Sequence, residues 1–170
     1  QDHLDFHGSM EAYWQAKAEL FNWPGLRVAV LNVDDARGQL LQNTLAGTAI
    51  DLWTCSASPS ATARLSARDI RYTDTGLAFE LAEAGAPSVS LRSGLMGDYN
   101  VSNLLAVIAT LRALGVTLAH AARACELLTA APGRMQRVVT DPAGGTPQPE
   151  VLVDYAHTPD ALEKALRALQ

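Results

Sequence analysis

At 170 residues with 48% hydrophobic side chains and a mean hydropathy of +0.04, the chain has enough apolar material for a packed core. It has no apolar run near the roughly 20 residues that a membrane helix needs. A net charge of -5 and a pI near 5.2 argue against a nucleic-acid-binding surface, while leaving small phosphorylated ligands open. Cys55 and Cys125 are far apart and form no CxxC pair, so buried free thiols are expected and not a zinc site or disulfide framework. No signal-peptide pattern is present, and a cytoplasmic location is expected.

The first seventeen residues, QDHLDFHGSMEAYWQAK, place two histidines, two aspartates and a lysine on a loop that runs into a helix. The Ser9 hydroxyl is suited to cap that helix, Glu11 favours its first turn, and the pattern carries it to about Phe21. Tyr13, Lys17 and Leu20 recur at helical spacing with Trp14 and Phe21 beside them, which draws Lys17 toward an apolar face. Two readings follow for Lys17. Its methylene stem can lie along the aromatics while the ammonium reaches water. Alternatively, a desolvated amine loses its proton more easily and can take up carbon dioxide, giving a carbamate whose oxygens suit magnesium. His3 could add an imidazole to a metal, or be an ordinary loop histidine.

After a turn at WPGLR, Arg27–Val33 reads as a buried parallel strand, and Asp34 or Asp35 as the cap of a helix over Ala36–Leu45. This is the βα unit of a nucleotide-type fold, with Asn32 and Asp34 at the strand end that faces a ligand crevice. Ile50–Cys55 gives a second strand. From Ala67 to Arg92 polar and apolar residues alternate, with breaks at Thr75-Gly76 and at Gly85-Ala86-Pro87, and three antiparallel strands are predicted. GLMGDYNVSNLLAVIATLRALG then puts two glycines and Asp98 ahead of a long apolar helix that stops at Gly115. Asn100 and Asn103 share one face of its first turn and can cap it or read the edge of a base. A second helix spans about Leu118–Leu128, AAPGRM breaks it, and a domain boundary is placed near Pro132. Arg137–Asp141 and Glu150–Tyr155 read as strands joined by PAGGTPQP, and Thr158-Pro159 opens a last helix on which Lys164 follows Asp160 by four residues. Asp154 ends the second of these strands, where a carboxylate can meet a ribose hydroxyl.

Four segments, HLDFHGSMEAYWQAKAELF, GDYNVSNLLAVIATLRALG, PGRMQRV and VDYAHTPDALEKAL, occur in the order found in the Mur ligase family, and the last resembles its E-type members most specifically. The resemblance implies an α/β fold: the C-terminal part of the P-loop-type, Rossmann-like central ATP-binding domain over residues 1–131, with a small antiparallel subsidiary sheet, and the beginning of the Rossmann-like C-terminal domain over residues 132–170. It implies ATP and Mg²⁺ as cofactors. His3 and the Lys17 carbamate would be metal ligands and catalytic groups, Asn100 and Asn103 would lie at the adenine, and Arg134, Asp154, Tyr155 and His157 would lie on the nucleotide side of an interdomain cleft. The implied reaction is ATP-dependent amide bond formation through an acyl phosphate, adding the third amino acid, meso-diaminopimelate, to UDP-N-acetylmuramoyl-L-alanyl-D-glutamate. Nucleic acid and membrane are not among the expected partners.

No GxxxxGK[ST] phosphate loop occurs in the 170 residues. The chain is therefore expected to be an internal piece of a three-domain enzyme, inactive by itself. Two other readings stand beside it: a folylpolyglutamate or cyanophycin synthetase relative, which would lack the DYAHTPDALEKAL form, and a noncatalytic nucleotide-binding or interaction module of the same fold.

Overall fold

The computed structural model describes residues 7–59, 61–138 and 150–168. Helix α1 (Met10–Ala18) starts at Ser9, whose hydroxyl accepts from the Ala12 amide at 3.1 Å, and continues as a 3-10 turn over Glu19–Asn22. Strand β1 (Val28–Asn32), helix α2 (Ala36–Leu45) and strand β2 (Asp51–Ser56) form a parallel βαβ unit, in which Val28 pairs with Asp51 and Asn32 with Cys55. Asp35 caps α2 through the Arg37 amide at 2.7 Å. Gly38 lets α2 lie directly on the end of β1, since a Cβ there would stand 1.8 Å from the Asn32 carbonyl oxygen.

Strands β3 (Leu65–Thr73), β4 (Gly76–Glu83) and β5 (Val89–Ser93) form the antiparallel meander, turning at the two predicted breaks. The meander is not a detached sheet. It joins β2 edge to edge through a short parallel register, Cys55 to Leu65 and Ser56 to Ser66, giving one mixed sheet of order β1-β2-β3-β4-β5.

Strand alternation divides the core in two. Val28, Val30, Trp53 and Cys55 face one side of the sheet, where helices α3 (Asp98–Ala113) and α4 (Leu118–Glu126) cover the meander as well. Val101, Leu104, Leu105, Ile108 and Ala109 of α3 are essentially fully buried there, at the i, i+3, i+4 spacing of an amphipathic helix. Ala29 and Leu31 face the other side, against Leu41 and Leu45 of α2, with Trp14 and Phe21 packed on them. Arg112 at the end of α3 grips Glu83 at the end of β4 with a two-pronged ion pair of 2.7 and 2.9 Å, which ties helix to meander. The Arg64 guanidinium lies 3.5 Å from the ring centre of buried Trp53.

A separate two-stranded antiparallel sheet follows, β6 (Gln136–Val138) with β7 (Val151–Val153), and then helix α5 (Pro159–Arg167), capped by Thr158. The strand expected over Arg137–Asp141 is described only as far as Val138, and the predicted Asp160–Lys164 pair involves a side chain outside the described residues. Among the described residues no helix is long and apolar enough to cross a membrane.

Candidate functional site

Helix α3 begins at Gly97, whose φ of +90° is open to glycine and costly for other residues. A Cβ at Gly97 would also stand 2.7 Å from the Tyr99 ring. Among the described residues no side chain caps this helix end. The Asn100 amide instead donates backward to the Met96 carbonyl at 2.7 Å, while the Asn100 side-chain oxygen accepts from the Asn103 amide group at 3.1 Å. The capping role weighed for Asn100 is thus replaced by a brace between the incoming loop and Asn103. Asn103 is exposed and keeps its own side-chain oxygen clear of these two bonds.

The facing wall is the turn that leads from α4 into β6. Met135 adopts φ 45°, an uncommon conformation for a residue with a side chain, and its amide donates to Asp154 at 2.8 Å. The other Asp154 oxygen accepts from the Ala156 amide at 2.7 Å, and the Tyr155 amide donates to the Gly133 carbonyl at 2.8 Å. Asp154 therefore staples the ends of β6 and β7 together and holds up the Arg134 turn. The Arg134 guanidinium lies 5.9 Å from the Tyr155 ring centre. Tyr155 and His157 meet ring to ring at 4.9 Å, and His157 Nδ1 lies 2.8 Å from the Tyr155 carbonyl oxygen.

Between the two walls runs a cleft of about 430 Å³ lined by Tyr99, Asn100, Asn103, Ala130, Ala131 and Arg134, among others. The fold thus brings Asn100, Asn103 and Arg134 to one cavity, with Asp154, Tyr155 and His157 behind Arg134. Tyr99 was not singled out from sequence, although it stands between Asp98 and Asn100 in the GDYN run. Burial and the Asp154 carboxylate push its phenol up from the usual range, with Arg134 partly offsetting them.

Lys17 lines no part of this cleft. Helix α1 turns Trp14, and the following 3-10 turn Phe21, onto the core and leaves Lys17 exposed, with its ammonium 4.8 Å from the Tyr13 ring centre. The ammonium thus faces an aromatic ring at an exposed position. His3 lies outside the described residues. Among the described residues no three His, Cys, Asp or Glu side chains converge as metal ligands. At the carboxyl ends of β1 and β2, Asp34 does not cap α2; it accepts from the Ser56 hydroxyl and from the Ala57 amide at 2.7 Å, locking the two strand ends together.

Residues 1–111 match the family described as the Mur ligase middle domain. The UDP-N-acetylmuramoyl-L-alanyl-D-glutamate--2,6-diaminopimelate ligase of Acidovorax sp. (strain JS42) is 55% identical over 170 residues, covering 100% of this chain and 32% of that protein. The protein of the same name from Pseudomonas aeruginosa is 48% identical over 172 residues, covering 100% of this chain and 33% of its own. A solved structure of a ligase of this name superposes with a TM-score of 0.78 at 36% identity, over 96% of this chain and 32% of that one. MurF from Acinetobacter baumannii superposes at 0.79 with 22% identity, over 98% of this chain and 34% of its own, a likeness in fold alone. The chain spans about a third of the length of the curated relatives it matches. A matching middle-domain profile over most of the chain, together with relatives aligned along its whole length, makes this chain a member of the Mur ligase family.

Proposed function

We propose that the chain is part of an ATP-dependent amide ligase that adds meso-diaminopimelate to UDP-N-acetylmuramoyl-L-alanyl-D-glutamate in the cytoplasm, and that the Tyr99–Arg134 cleft receives the nucleoside end of ATP. The observation that carries the reading is the convergence of Asn100, Asn103 and Arg134 on one cavity, in a chain that aligns throughout with ligases of that name. The central domain is proposed to end near Pro132, ahead of the β6–β7 sheet.

The donor set fits a nucleoside. Asn103 offers a neutral side-chain oxygen to an exocyclic amine and is held in place by Asn100, which is itself anchored on the Met96 carbonyl. Tyr99 offers a flat apolar face with a polar tip. Arg134 is a forked cation suited to ribose or phosphate oxygens, and its turn is fixed by Asp154. ATP, when bound, supplies the phosphoryl group that activates a substrate carboxylate for attack by the incoming amine. In this chain the described residues position the nucleotide and keep Arg134 from swinging away.

The test is ATP-dependent ligation of the UDP-muramoyl dipeptide to diaminopimelate by the intact protein, comparing wild type with Asn103→Ala. A buried hydrogen bond to the base is worth roughly 1 to 1.5 kcal/mol, so the KM for ATP should rise about tenfold with little change in KM for diaminopimelate. An unchanged KM for ATP would remove the nucleotide from this cleft.

A further inference from the structure

Strand register places Arg71, Ala78 and Arg92 in one row across β3, β4 and β5. Neighbouring strands lie ~4.8 Å apart, so the two arginine Cα atoms stand about 10 Å from each other with only a methyl group between them. Leu77, Phe79 and Leu81 turn into the core, whereas Arg71 and Arg92 are exposed and Ala78 is half-buried. A trough of about 630 Å³ has a lining that includes Arg71, Thr75, Ala78 and Arg92, together with Leu77 and Ser93 of the opposite strand face and Glu126 of α4.

Arg37, Arg64, Arg112, Arg137 and Arg167 each hold a carboxylate. Arg71 and Arg92 hold none among the described residues, although Glu126 lines the same trough and Glu80 lies on the same sheet face one row away. Two unpaired guanidinium groups on one face, in a chain of net charge -5, repel each other and attract counter-charge. Arginine side chains are long enough to lean over the alanine from both flanks, and their planar forks match the oxygens of a tetrahedral oxyanion.

We propose that Arg71 and Arg92 form a binding site for a phosphate-class oxyanion, seated over Ala78 and gripped from both sides. The site rests on sheet register and charge and does not depend on the ligase reading. Its residues do not line the nucleotide cleft, yet the trough shares Thr75 and Gly94 with the cavity beside Met135 and Arg137, so it opens toward the same junction.

The test is titration of the intact protein with inorganic phosphate at constant ionic strength set by sodium chloride, read by ³¹P line broadening and by the shift in thermal unfolding. Wild type is compared with Arg71→Gln/Arg92→Gln, with Arg71→Lys/Arg92→Lys, and with Arg123→Gln as an exposed arginine elsewhere. Loss of both forks should weaken phosphate about tenfold or more. The lysine pair should fall between, and Arg123→Gln should match wild type. Equal phosphate affinity in the glutamine pair, or a thermal shift that sodium chloride alone reproduces, overturns the proposal. An ADP titration separates the two sources of such an anion: ADP affinity kept in the glutamine pair assigns the site to free phosphate, and ADP affinity lost with phosphate affinity assigns it to the phosphoryl end of a nucleotide.

Discussion

Substituting Asp154 by alanine removes both acceptors that fasten the Arg134 turn to β7, the bonds from the amides of Met135 at 2.8 Å and Ala156 at 2.7 Å. Hydrogen bonds to a charged group contribute roughly 1.5 to 3 kcal/mol each, and Met135 is only 3% exposed, so its amide has no ready replacement in water. Met135 also holds an unfavourable φ of 45° that the bond helps to enforce. The expected loss is roughly 3 to 6 kcal/mol of local stability, confined to the β6–β7 sheet because its strands are largely exposed and, among the described residues, pair only with each other. At 1.4 kcal/mol per decade, hydrogen exchange at the Met135 amide should quicken by at least about 10²-fold, while amides of α3 keep their protection. In the intact enzyme the KM for ATP should rise as Arg134 loses its support. Asp154→Asn should give a smaller effect of the same sign, since one amide would then face an NH₂ group in place of an oxygen. Wild-type exchange at Met135 in Asp154→Ala, with an unchanged KM for ATP, would refute the view that Asp154 works by bracing this turn.

Lys17→Ala in the intact enzyme is expected to reduce ligation roughly 10- to 100-fold and to recover with added short carboxylates, the outcome that a carbamate at this position requires. Ligation at the wild-type rate would leave Lys17 as a cation resting on Tyr13. Leu105→Ala, at the centre of the α3 core and 1% exposed, should destabilise the protein by about 2 to 5 kcal/mol in denaturant titration; a loss below about 1 kcal/mol would mean that the site collapses around the gap. Cys55 should resist alkylation at pH 8 until the protein unfolds, because burial, and secondarily the Asp34 carboxylate, push its thiol up from 9.0 to about 12. Its contribution to stability is whole below pH 9. Between pH 9 and about 12 the unfolded chain releases a proton that the native chain keeps, so stability should fall with rising pH across that window and less steeply in Cys55→Ala.

Much of this architecture is legible in the sequence because its signals are local. Ser9, Asp35 and Thr158 announce their helices and cap them, and Thr75-Gly76 and the Gly85 turn bound strands whose alternation already separates core from surface. The convergence of Asn100, Asn103 and Arg134 rested on resemblance, since nothing in their spacing relates a helix start to a turn thirty-odd residues later. What stayed hidden are the long-range choices. Asp34 and Asp35 are equivalent as cap candidates in sequence, and only the parallel partner β2, with Ser56 at its end, draws Asp34 away. Asp154 reads as a ligand-facing carboxylate, yet backbone amides nineteen and two residues distant claim its oxygens. Tyr99 escaped because an exposed aromatic in a first turn carries no periodic signal until the wall it faces is known.

The join between β2 and β3 rests on the two register pairs at Cys55 and Ser56, far fewer than hold β1 to β2 or β3 to β4. Across that seam lies α3, which packs against β1, β2 and β3 together. Backbone bonding alone would leave two mechanically independent plates, and the helix acts as a splint between them. A pulling force applied across the sheet should therefore open this line first. Lesions on the buried stripe of α3 should decouple the βαβ half from the meander, turning one cooperative melt into two.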